Sequence, residues 1–119
     1  LSYRDPQQAV DRLVSQFGFE VVALHRNEAG VIYHGEQQKD GACVMIAALR
    51  DADAENPWAD ATHGTYVYVE AIDAHYERAK AAGAEIVMDI RDMDYGSREY
   101  SARDGEGQLW SFGTYRPAL

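Results

Sequence analysis

YRDPQQAVDRLVSQFGFEV (Tyr3–Val21) and YVEAIDAHYERAKAAGAEI (Tyr68–Ile86) superimpose without a gap at an offset of 65 positions. Tyr3 meets Tyr68, Asp5 meets Glu70, Ala9 meets Ala74, Gly18 meets Gly83, Glu20 meets Glu85 and Val21 meets Ile86. These pairs sit at strand exit, helix face, helix stop and strand entry. A repeat of about half the chain predicts two similar modules, and two such modules build one shared site between them.

Working outward, Asp5-Pro6 opens a helix, because Asp caps well and Pro is tolerated at the first helical position. Ala9, Val10, Leu13, Val14 and Phe17 recur at helical spacing and predict a buried face. Gly18 ends the helix as a residue that accepts positive φ. A short strand ends near Arg4 before it, and strand-like runs Glu20–His25, Gly30–His34 and Ala42–Leu49 follow. The second half repeats the order: strand Gly64–Val69, helix Ile72–Ala82 stopped by Gly83, strand Glu85–Met88, then Arg98–Arg103 and Gln108–Thr114 around an Asp104–Gly107 turn. The expectation is an α+β fold of two βαβββ modules whose curved sheets surround a shared cleft. One domain spans 1–119, with module one at 1–50, an acidic connection at 51–62 and module two at 63–119.

With 119 residues and 46% hydrophobic residues, the chain is long enough for a core without staples. Its longest apolar run, Ala42–Leu49, is too short to span a bilayer. No signal peptide is visible, although the chain opens on Leu1. The single Cys43 excludes an internal disulfide and a multi-cysteine zinc site, and points to a reducing cytoplasm. Eleven basic against 20 acidic residues give a net charge of −9, which argues against nucleic acid and anionic membranes and is compatible either with a cationic ligand or simply with solubility.

The chain resembles the vicinal oxygen chelate superfamily of glyoxalases, bleomycin-resistance proteins and ring-cleaving dioxygenases. Four stretches carry the likeness: Tyr66–Asp73 as strand-to-helix entry, Ala81–Ile86 as helix exit, and Tyr95–Glu99 with Asp104–Phe112 as closing hairpin. Tyr3–Pro6 with Phe17–Glu20 resembles the first half. The resemblance implies a divalent ion chelated by the first and last strands of each module, a Lewis acid for neighbouring substrate oxygens.

By position, the implied chelating sites hold Ser111, Ala47 and Gly64, and the fourth lies upstream of Leu1. None offers a useful ligand. His63, one residue from Gly64, would need a bulge to reach the same face. No metal and no cofactor are therefore expected.

Strand parity from Gly64 and Ser111 names the cleft lining: Tyr66, Tyr68, Leu109 and Ser111, with Met45 and Arg4 from module one, the two tyrosines either contacting a ligand or plugging a collapsed cleft. Glu70, Gly113, Cys43 and Leu49 share that parity, while Trp110 and Phe112 turn under the helices. Trp58 is the exposed aromatic that can cover the cleft or meet a second copy. Cys43 inside an apolar run reads as core rather than nucleophile. His25 and His34 can meet near a strand edge or serve as surface or interface residues, His75 reads as structural, and Arg98 with Glu99 as a surface pair, with ligand contact the alternative. No residue is read as catalytic. The expected function is metal-free binding of a small organic ligand by a homodimer, as the resemblance to bleomycin-resistance proteins implies. A metal-dependent lyase, isomerase or dioxygenase, and an uncharacterised metabolite-binding or dimerisation module, are the alternatives.

Overall fold

A computed structural model describes residues 1–50, 56–58 and 61–118, so Asp51, Asp53, Glu55 and Asp60 of the acidic connection lie outside the described residues. The chain divides into two compact units, Leu1–Thr62 with Pro117–Leu119, and His63–Arg116. The first contains β1 (Ser2–Tyr3), α1 (Pro6–Phe17), β2 (Glu20–Arg26), β3 (Ile32–Lys39) and β4 (Ala42–Ala48). The second contains β5 (Thr65–Tyr68), α2 (Ile72–Ala81), β6 (Glu85–Asp92), β7 (Arg98–Arg103) and β8 (Leu109–Gly113). Each is an open four-stranded mixed sheet, ordered β1-β4-β3-β2 and β5-β8-β7-β6, with the first strand parallel to the last. The expected α+β fold of two βαβββ modules is what the chain adopts.

Helix α1 begins where the Asp5 carboxylate accepts the Gln8 N–H at 3.0 Å, satisfying one orphan donor. It ends at Gly18, whose φ of 70° is the left-handed cap that a side chain would strain. Val10 packs with Ile32 and Ile46, joined by Tyr3, Leu13 and Leu24. The buried face is narrower than its sequence suggests. Val14 and Phe17 are 43% and 63% exposed, because the packed cluster is met by the Ala9, Val10 and Leu13 part of the stripe and does not reach the last turn.

In the second unit Ile72, Tyr76, Tyr100 and Ala102 form the core, with Val69, Ala79, Ile86, Ile90 and Phe112 against them. The Tyr100 hydroxyl, fully enclosed, lies 2.6 Å from His75 Nδ1, and the His75 ring packs tilted against Phe112 at 4.6 Å. His75 is thus a structural residue. Trp110 lies parallel to Phe112, and its indole N–H donates to Asp104 in the closing hairpin at 3.0 Å.

The two halves do not superimpose at one offset. The stops Gly18 and Gly83, both at positive φ, and the strand entries Glu20 and Glu85 keep the 65-residue spacing. The helix starts Pro6 and Ile72 are 66 apart. A one-residue slip reverses the side-chain face in a strand. Tyr3 accordingly packs toward α1, whereas its sequence partner Tyr68 points away from α2, on the face opposite Val67 and Val69.

Candidate functional site

Registration across β5, β8 and β7 decides which side chains share a face. Tyr66 lies beside Ser111, which lies beside Ser101, and Tyr68 beside Gly113, which lies beside Glu99. The intervening row of Val67, Phe112 and Tyr100 belongs to the α2 side. Alternation therefore gathers Tyr66, Tyr68, Ser111, Leu109, Ser101 and Glu99 on the face turned away from the helix.

At one end of that face is a polar cluster. Glu99 is only 6% exposed, and the Tyr95 hydroxyl donates to its Oε1 at 2.8 Å. The Tyr66 hydroxyl donates to the Tyr115 carbonyl at 2.8 Å, and the Tyr115 N–H donates to the Ser97 hydroxyl at 3.0 Å. Gly113 is what lets them meet: a Cβ there would fall 2.5 Å from Glu99 Cγ and 2.7 Å from the Tyr66 oxygen. Burial, together with the Glu99 charge and against a hydrogen bond from Ser97, pushes the Tyr66 phenol up to about 12. Tyr95, 58% exposed as a residue, is displaced in the same direction by the partial desolvation of its phenol, its bond to Glu99 and the Glu99 charge. Both phenols are held neutral around a buried carboxylate, which among the described residues forms no ion pair. Tyr68, 42% exposed, carries the Arg116 guanidinium over its ring at 5.6 Å, so this face already receives one cation.

Glu99 is a correction to the sequence reading. Arg98 and Glu99 do not pair, because neighbours on a strand face opposite ways. Arg98 reaches Asp73 at 2.9 Å and Asp92 at 3.2 Å, while Glu99 turns into the tyrosine cluster. A signal for this was present, since Tyr100 and Ala102 already mark the apolar side of that strand.

In the first unit, Met45 and Ala47 alternate with the core residue Ile46 and so face away from α1, with Cys43. Glu36, opposite Met45, is 2% exposed and meets His34 Nε2 at 2.9 Å. Burial, and secondarily the Glu36 charge, raises the Cys43 thiol, which disfavours the thiolate a nucleophile requires. Arg4 is exposed in the bend after β1, and Trp58 is half-buried, its N–H donating to the Asn56 side chain at 3.0 Å.

The superfamily resemblance puts three chelating positions at Ala47, Gly64 and Ser111. Ala47 pairs with Ser2, Gly64 has no side chain, and the Ser111 hydroxyl is engaged with Ser101 at 3.2 Å. Among the described residues no three His, Cys, Asp or Glu side chains converge to enclose an ion. These three positions offer no donor set for the superfamily's metal.

The fold and this pattern define a protein class. The profile of the Glyoxalase/Bleomycin resistance protein/Dioxygenase superfamily matches residues 1–112, and the chain belongs to that superfamily. Among solved structures, TioX from Micromonospora sp. ML1 is 36% identical over 100% of this chain and 94% of its own, with a TM-score of 0.42. A superfamily member from Vibrio splendidus 12B01 is 19% identical over 95% and 92% of the two chains, with a TM-score of 0.74. A hypothetical protein from Bacillus halodurans C-125 is 10% identical over 99% and 91%, with a TM-score of 0.75. The last two share the fold. A search of curated proteins finds no match. No helix among the described residues is long and apolar enough to cross a membrane.

Proposed function

We propose that this protein binds a small organic cation on the Tyr66, Tyr68 and Glu99 face of its second module, without requiring a metal and without catalysing a reaction. The observation that carries this is the buried Glu99 carboxylate, bonded to a neutral phenol and bordered by two further tyrosines. A desolvated carboxylate is stabilised by a cation, and aromatic faces add to that attraction. The net charge of −9 favours the same class of solute. Ser111 and Leu109 extend the contact surface along β8, and Leu109, 8% exposed, supplies apolar backing. Met45, Arg4 and Trp58 are proposed as further ligand contacts, sequestration in the cytoplasm as the mode of action, and a homodimer as the assembly.

The test is a fluorescence titration with proflavine, a planar aromatic cation, and with neutral acridone as its control. Saturable proflavine binding that survives chelator treatment, falls at least tenfold in Glu99→Gln and is absent for acridone is expected. Equal binding of both dyes, or dependence on an added metal, would overturn the proposal.

A further inference from the structure

We propose a second, separate site: an open two-histidine site for a late first-row divalent ion, formed by His25 and His34 at the bulged end of the β2–β3 hairpin. His25 and His34 are direct cross-strand partners, and their ring centroids are 5.9 Å apart. The register shifts between His25 and Arg26, so the hairpin is locally irregular where the rings meet. With metal–nitrogen bonds of about 2.1 Å, two imidazoles sharing one ion have centroids roughly 5–6 Å apart, so the centroid separation already falls in the bound range.

Glu36 supplies the second argument. Its buried carboxylate lies 2.9 Å from His34 Nε2 and can only accept, so in the neutral ring that nitrogen carries the proton. Nδ1 is then the atom with a lone pair. A carboxylate that fixes tautomer and orientation in this way is the usual outer partner of a metal-bound histidine. His25 is exposed and the His34 side chain 35% exposed, so an ion can enter from solvent. Imidazole donors select nickel, copper or zinc over magnesium or calcium. Because no third protein ligand converges among the described residues, the remaining coordination positions stay open to water or to a chelating solute. These strands are not the ones in which the superfamily pattern places its chelating residues.

The experiment is calorimetric titration of the whole chain with nickel chloride, accompanied by copper-loaded electron paramagnetic resonance. One ion per chain is expected, with nitrogen hyperfine structure from two imidazoles. His25→Ala and His34→Ala should each weaken binding at least tenfold, and Glu36→Gln by about tenfold or more, the range for loss of an outer-shell partner. His63→Ala should bind as the parent does. His25 is on the surface, so its variant retains the fold, as circular dichroism will verify. Unchanged affinity in His25→Ala, or loss in His63→Ala, would overturn the assignment.

Discussion

Replacing Gly113 by alanine tests the polar cluster through its tightest point. The added Cβ would stand 2.5 Å from Glu99 Cγ, 3.1 Å from Glu99 Cδ and 2.7 Å from the Tyr66 hydroxyl. Carbon atoms pack at about 3.5–4.0 Å, so Glu99 must retreat by roughly an ångström. Cγ is not the far end of its side chain, and the residue is enclosed, so the movement carries the carboxylate away from Tyr95. Overpacking costs about 1–3 kcal/mol, and a weakened hydrogen bond to a charged group about 1.5 kcal/mol more. Gly113→Ala should therefore lower the unfolding free energy by about 2.5–4.5 kcal/mol in a urea titration read by circular dichroism. Glu99→Ala removes the obstructing Cγ, so the same substitution in that background should cost at least about 1 kcal/mol less, a coupling outside ordinary additivity. A Gly113→Ala change within about 0.5 kcal/mol of the parent, or strict additivity of the double variant, would refute the reasoning.

Three other outcomes are expected. Gln37 donates to the Val10 carbonyl at 3.2 Å, but its buried Oε1 has no hydrogen-bond partner among the described residues, so Gln37→Met should raise stability by about 1 kcal/mol; a comparable loss would contradict this. Tyr66 ionises later than a free phenol near 10, so its contribution is complete below that pH and lost as pH rises through about 12. The absorbance difference between parent and Tyr66→Phe should show a phenolate step near 12, and a step near 10 would contradict it. Asp104 is held below the usual carboxylate range by the Trp110 indole N–H, then by the Gln108 and Glu106 amides, so its contribution is present above about 4 and lost as pH falls through its folded value. The urea-midpoint gap between parent and Asp104→Asn should close on acidification, and a constant gap would sink the assignment.

The fold was legible where local chemistry is unambiguous. Asp5-Pro6, Gly18 and Gly83 mark helix ends by capping and left-handed geometry, and the structure uses each of them so. Strand parity likewise placed Phe112 and Trp110 on the helix side, with Tyr66, Tyr68 and Ser111 opposite. What the repeat concealed was the 66-residue spacing of the helix starts, because an ungapped alignment cannot register that α1 has 12 residues and α2 has 10. The burial of Glu36 and Glu99 was not legible. Charge in a strand reads as solvent-facing, and only the neighbouring strands' register shows that these two are covered. His25 and His34 were seen as edge neighbours, but the carboxylate behind His34 emerged only with the structure.

The most direct test of the account is two-dimensional NMR of the whole chain during titration with proflavine. The account predicts shifts concentrated at Tyr66, Tyr68, Glu99, Ser111 and Arg116, with the α2-side residues Tyr76 and Tyr100 largely unmoved. Shifts that leave these β5, β7 and β8 residues unchanged at saturation would contradict it.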